Sequence, residues 1–230
     1  LETFFALPAG YLFMTPEEGT LVATSAGGRL APSAVTGIGI EPPPAVPARR
    51  VLDSLGIPER YILCLGRVDK NKGAHTLAQF LVQHLAGGGQ PATLVFAGPA
   101  TIPLPAHDHI RALGFVSQEV RDALLAHATL LVVPSPFESL SIALLEAWNH
   151  GVPALVNGHC RVLDGQVARA GGGLAYRSPL EFSESLDYLL THPDKARQLG
   201  EHGRAYVDRE YRWPIVMERV ESVLNRTLRA

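Results

Sequence analysis

Cysteine is scarce in this 230-residue sequence, and the two present, Cys64 and Cys160, have no metal-type spacing and imply no disulfide framework. A zinc-stapled or disulfide-knit domain is therefore excluded, and a reducing compartment, the cytoplasm, is the expected location. Basic tracts are missing too. Twenty Lys and Arg stand against 22 Asp and Glu, for a net charge of −2, so nucleic acid is not the expected partner. A small anionic ligand needs only two or three local cations and stays open. No apolar run reaches membrane-spanning length. The opening stretch LETFFALPAGYLFM has no charged region before its apolar residues and is broken by Pro8 and Gly10. It reads as the cut edge of a longer chain, not as a targeting signal. Neither a G-x-S-x-G turn nor a P-loop occurs. His107-Asp108-His109 lacks a third ligand at convincing spacing, so no metal site is expected. Gly37-Ile38-Gly39 lacks the third glycine of a dinucleotide fingerprint.

What is present is ordinary for a soluble α/β domain: 47% hydrophobic and 18% charged residues. Tyr11–Met14 and Ala34–Ile40 read as strands around a helix that starts at Pro16 and is capped by Thr15. EPPPAVPARR follows at residues 41–50, a stiff connector and the expected domain boundary. Beyond it the rhythm is regular. Strands are predicted at Tyr61–Leu65, Thr93–Ala97, near Ile110–Phe115, at Leu130–Val133, from Ala154 to Val156 and at Gly173–Tyr176. Helices are predicted at His75–Leu85, from Ser117 to His127, over Leu140–Asn149, and roughly over 179–191, 193–208 and 213–228. Alternating apolar strands and amphipathic helices imply a Rossmann-like parallel sheet with helices on both faces. In such sheets ligands bind at the carboxyl ends of the strands. Trp148, on the predicted central helix, reads as core.

Two stretches carry the chemistry. The loop after the first strand of that sheet reads GRVDKNKG, with Arg67 and Lys72 flanking a turn and Gly66 permitting close backbone approach. A guanidinium and an ammonium at a strand end suit a diphosphate. Further on, PSPFESLSIALLEAWNHGVP places Glu138 just before a helix and Glu146 about two turns into it. Eight residues of helix rise about 12 Å, roughly the ribose-to-hexose distance in a nucleotide diphosphosugar. The amides of Ser139, Leu140 and Ser141 would then face the diphosphate at the helix N-terminus. Read singly, Glu138 and Glu146 are a solvated loop acid and a helix-surface charge, and Arg67 with Lys72 an ordinary basic turn.

Taken together, LCLGRVDKNKG and LGFVSQEVRDALLAHATLLVVPSPFESLSIALLEAWNHGVPALV resemble the donor-binding domain of retaining GT-B glycosyltransferases of the large family 4, or group 1. The resemblance runs from about Tyr61 to the C-terminus and rests on an E-x7-E signature and an R-x4-K-G element. It implies that Arg67 and Lys72 hold the diphosphate and stabilise the leaving group. Glu138 would contact donor-sugar hydroxyls. The amides of Ser139, Leu140 and Ser141 would touch sugar or phosphate, Glu146 would bind ribose, and Val116 would lie against the base. No metal or other cofactor is expected, because protein cations do that work. Many members carry E-G-F-G where this chain has Glu138-Ser139-Leu140-Ser141, which leaves donor identity open.

The resemblance also divides the chain. Residues 1–45 would be a remnant of an acceptor domain plus linker, 46–210 the donor-binding domain, and 211–230 a crossover helix through Trp213 and Met217. The partners expected are a nucleotide-sugar donor and a missing N-terminal acceptor domain, and the full-length parent has room for peripheral membrane contact. The fragment alone would be inactive. A GT-B-like epimerase or phosphorylase and a non-catalytic nucleotide-sugar-binding module are the alternatives.

Overall fold

The computed structural model describes residues 2–28 and 30–229. In chain order its elements are α1 (Glu2–Phe5), β1 (Tyr11–Phe13), α2 (Pro16–Ser25), β2 (Ser33–Val35), α3 (Arg50–Asp53), β3 (Ile62–Leu65), α4 (Ala74–Ala86), β4 (Leu94–Ala97) and β5 (Ile110–Ala112). They continue with α5 (Gln118–His127), β6 (Leu130–Val133), α6 (Ile142–Asn149), β7 (Ala154–Asn157), α7 (Arg161–Ala170), β8 (Gly173–Tyr176), α8 (Pro179–Thr191), α9 (Pro193–Glu210) and α10 (Trp213–Thr227). Residues 43–206 form one compact unit, and residues 1–42 with 207–230 form a second.

In the larger unit six parallel strands lie in the order β5-β4-β3-β6-β7-β8. This is the doubly wound arrangement that the alternating pattern implies. Strand alternation explains how both faces are covered. Ile62, Leu94, Phe96, Leu130, Val132 and Leu155 share one core with Leu77 and Leu81 of α4 and Phe182 and Leu186 of α8. Phe182 anchors that layer, with its ring 5.8 Å from Phe80 and 5.2 Å from Tyr176. Tyr61 belongs to the other alternation, and its hydroxyl donates to the Leu124 carbonyl of α5 at 2.7 Å. Trp148 of α6 is fully buried, as its sequence setting suggests, and its indole N–H reaches the Gly172 carbonyl at 2.8 Å.

Two helices depart from the sequence reading. Helix α7 was not expected, yet its buried residues Val162, Leu163, Gln166, Val167 and Ala170 recur at helical spacing. Helix α6 begins at Ile142 and not at Leu140, because Ser141 adopts an extended backbone and caps it by accepting from the Leu144 amide at 3.4 Å. The proline-rich connector is tied to the larger unit. His127 Nε2 bonds the Pro47 carbonyl at 2.9 Å, and Arg49 Nη2 donates to the carbonyls of Ile57 and Pro58 at 2.6 Å each.

In the smaller unit β1 and β2 pair in parallel, Tyr11 opposite Ser33. The second expected strand is shorter than Ala34–Ile40: the ladder ends at Val35, and Gly37-Ile38-Gly39 instead lies against the rings of Tyr211 and Trp213. Helix α10 buries Val216 and Val223. Its Arg226 donates to the Ser33 carbonyl at 2.9 Å. Trp213, Met217 and Leu224 stay exposed.

One glycine sets the spacing between the loops that matter below. Gly73 caps α4 in the left-handed region, φ +72°, and a Cβ there would stand 2.5 Å from the Pro134 carbonyl oxygen after β6. Gly73→Ala is therefore expected to lower unfolding free energy by about 2–4 kcal/mol, from backbone strain plus overpacking. Urea denaturation followed by circular dichroism measures this, and an unchanged midpoint would show that the loops have room to part.

Candidate functional site

Strands β3 and β6 are neighbours, yet the chain leaves β3 toward β4 and β6 toward β7, so their connections run away from each other. Such a switch point opens a crevice at the carboxyl ends of the strands. A cleft of about 240 Å³ lies there, with Leu65–Arg67 and Lys72 on one wall, Val133–Ser135, Glu138, Leu140 and Ser141 on the other, and the first turn of α6 at its end. That volume is below the usual 300–1,000 Å³ of small-molecule pockets. It has room for a diphosphate with part of a sugar, and a whole nucleotide sugar would extend beyond it.

Six of the nine residues singled out by sequence line this cleft: Gly66, Arg67, Lys72, Glu138, Leu140 and Ser141. Gly66 has φ +130° with open space where a Cβ would be, so nothing blocks a ligand from its backbone. Lys72 Nζ donates to Glu138 Oε1 at 2.7 Å, joining loops 66 positions apart. Glu138 keeps only 11% of its side chain exposed, Lys72 35%. Arg67 is 63% exposed and lies 3.6 Å from Asp69 through its Nε. Its two Nη groups thus remain available to an oxyanion. Asn157 Nδ2 donates to the Pro134 carbonyl at 3.1 Å and holds the Glu138 loop from behind.

The helix N-terminus needs a correction. Ser141's amide is not free: it donates to Gln166 Oε1 at 3.3 Å, and Gln166 belongs to the unforeseen helix α7. The Ser139 and Leu140 amides have no backbone acceptor among the described residues. Ser139 itself is exposed and stands outside the cleft wall.

Glu146 and Val116 also stand outside that wall. Glu146 is the fifth residue of α6, a little over one turn in and not two, so the span from Glu138 is not eight residues of helix. It follows Ile142, a wall residue, by four positions, which places it on the same stripe about 6 Å further along the axis. Its carboxylate is ion-paired with the Arg121 guanidinium of α5. Burial raises the Glu146 pKa above the ordinary glutamate value, and Arg121 opposes that rise. Val116 lies in the loop just before α5, two residues from its first turn, and is partly buried. Arg121 was not foreseen, since its pairing depends on how α5 and α6 pack. The only sequence signal for it is a cation on the helix that follows Val116.

Other candidates take structural places. Cys64 lines the cleft floor, and burial pushes its thiol up to about 12, so it is no nucleophile at neutral pH. His107 Nδ1 accepts from the His109 amide at 3.2 Å. Among the described residues no group of three or more His, Cys, Asp or Glu could hold a metal ion.

Comparison with known proteins gives this geometry a context. A family profile described as glycosyl transferases group 1 matches residues 59–192, more than half of the chain. The chain is similar to the D-rhamnosyltransferase WbpZ of Pseudomonas aeruginosa, 28% identical over 167 residues that cover 64% of this chain and 40% of that protein. It is also similar to a GDP-mannose-dependent monoacylated alpha-(1-6)-phosphatidylinositol monomannoside mannosyltransferase of Corynebacterium glutamicum, at 28% identity with 71% of this chain and 46% of that protein covered. The chain thus spans less than half the length of either relative. Among solved structures, sucrose-phosphate synthase of Thermosynechococcus elongatus superposes with a TM-score of 0.79 at 18% identity, over 99% of this chain and 60% of that one. Anabaena HepE, solved with UDP and glucose, gives 0.79 at 16% identity, over 96% and 64%. These likenesses show the GT-B type of fold.

The Glu146–Arg121 pair yields a pH test. Because folding raises the Glu146 pKa, the native state binds that proton more tightly than the unfolded chain, and stability falls as pH rises from the unfolded toward the folded value. Removing the guanidinium extends the window upward. Arg121→Met is therefore expected to lose thermal stability relative to the parent progressively as pH rises above the ordinary glutamate range. Parallel melting-temperature curves would show that Arg121 does not stabilise the carboxylate.

Proposed function

Because the chain belongs to the glycosyl transferases group 1 family, we propose that it is the nucleotide-sugar-binding half of a retaining glycosyltransferase that moves a hexose to an acceptor. The observation that supports this most is the cleft itself. Two cations, Arg67 and Lys72, line it together with the Glu138 carboxylate at the switch point of the sheet, and Lys72 bonds that carboxylate. A guanidinium fork and an ammonium suit the two phosphates of a nucleoside diphosphate, and a carboxylate suits sugar hydroxyls.

In this reading Glu138 holds the hexose through Oε2 while Lys72 keeps Oε1. Arg67 and Lys72 neutralise the charge that grows on the diphosphate as the bond from the anomeric carbon to the phosphate oxygen breaks. The amides of Ser139 and Leu140 add donors; that of Ser141 does not unless Gln166 releases it. Glu146 takes the ribose with the oxygen that Arg121 leaves, and Val116 lies toward the base. For retention, the acceptor oxygen attacks from the face the phosphate leaves. Its proton passes to the departing phosphate oxygen as the new glycosidic bond forms. Charge neutralisation falls to Arg67 and Lys72, so this scheme requires no metal. The name of the Corynebacterium relative gives a GDP-linked mannose, and HepE has been solved with UDP-glucose as well as with UDP and glucose.

Transfer requires an acceptor site, which we assign to a further domain of the kind the longer relatives have room for. The chain alone then binds donor without turnover. No helix among the described residues is long and apolar enough to cross a membrane, and both cysteines are free. A cytoplasmic enzyme fits these facts, and so does peripheral membrane contact through the further domain.

Calorimetry with UDP, GDP and ADP tests the proposal. At least one is expected to bind at micromolar to millimolar concentration. Arg67→Ala and Lys72→Ala should each weaken it by about tenfold or more, the 1.5–3 kcal/mol of a charge-assisted hydrogen bond. No binding at millimolar concentration, or wild-type affinity in both variants, would overturn it.

A further inference from the structure

We infer that Asp69 is a positioning residue that sets both cleft cations for the diphosphate; this rests on the nucleotide-binding reading above. A carboxylate beside a diphosphate site is at first sight a liability, since like charges repel. Yet Asp69 is 8% exposed, and each of its oxygens faces one of the two cations' residues. Oδ1 accepts from the Lys72 backbone amide at 2.7 Å. Oδ2 stands 3.6 Å from Arg67 Nε.

The two contacts do different work. The first closes the turn that precedes α4, from which the Lys72 side chain reaches Glu138. The second is an ion pair on the Nε side of the Arg67 guanidinium and leaves its two Nη groups for a ligand. The base of the turn is fixed as well: Val68 is buried, its amide donates to the Pro99 carbonyl at 2.9 Å, and its carbonyl accepts from the Thr101 amide at 3.0 Å. Asp69 therefore stands on an anchored strand end and restrains the two side chains above it. Without it both cations keep their charge and lose their aim. A flexible cation is a weaker ligand for a diphosphate, because binding must then order it.

The substitutions separate the two contacts. Asp69→Asn keeps an acceptor for the Lys72 amide and removes the charge beside Arg67. Asp69→Ala removes both. Binding is measured by calorimetry for UDP against UMP and GDP against GMP, with melting temperature as a check on folding. The wild type is expected to prefer the diphosphate. Asp69→Ala should lose about tenfold in diphosphate affinity and little in monophosphate affinity, with Asp69→Asn between it and the wild type. Should Asp69→Ala fail to fold, Asp69→Asn carries the same comparison. Wild-type diphosphate preference in Asp69→Asn and Asp69→Ala, while Arg67→Ala loses it, would overturn the inference and leave the functional reading standing. Equal loss for diphosphate and monophosphate would also overturn it, as the mark of a collapsed loop. If the wild type binds neither UDP nor GDP, the functional reading fails and the inference with it.

Discussion

Two adjacent parallel strands whose connections depart in opposite directions leave a gap that no side chain of the sheet fills. Strands β3 and β6 make that gap here, and the whole site depends on how the loops above it are held. Gly73 sits against the Pro134 carbonyl with no space for a methyl group. Asn157 donates to the same carbonyl. With those backbones fixed, Lys72 and Glu138 meet at hydrogen-bond distance across the cleft. Packing thus places the charges, and the ion pair does not have to pull the loops together.

The charges themselves are balanced. Lys72 faces Glu138, Arg67 faces Asp69, and Arg121 faces Glu146. Each acid that could repel a diphosphate is already partnered, and each cation keeps donors for a ligand. Lys72 has three ammonium hydrogens and Arg67 two free Nη groups. A site built this way can accept an anion by rearranging existing pairs, without first bringing a bare charge out of water.

Much of this was legible in the sequence, and the rest failed for identifiable reasons. Apolar runs such as Leu130–Val133 marked the strands, because a strand buried on both faces has nothing polar to interrupt it. Arg67, Lys72 and Glu138 were legible as loop charges at strand ends. Helix α7 escaped because RVLDGQVARA carries a glycine in its middle and no capping side chain before it, although its buried positions keep helical spacing. With it went Gln166 and the engagement of the Ser141 amide. The start of α6 was misplaced by two residues even though Ser141 is a good capping residue. Arg121 and Glu146 are joined only by the packing of α5 on α6, and no pattern within one element encodes that pairing. Asp69 lay in plain view within GRVDKNKG, but its double contact needs the folded turn.

A crystal structure of the chain with a bound nucleoside diphosphate would test the central claim most directly. The expected result is a β-phosphate within hydrogen-bond reach of both the Arg67 guanidinium and the Lys72 ammonium, with the ribose beside Glu146 further along α6. A nucleotide bound away from the β3–β6 crevice, or lying in it with its phosphates pointing away from Arg67 and Lys72, would contradict it.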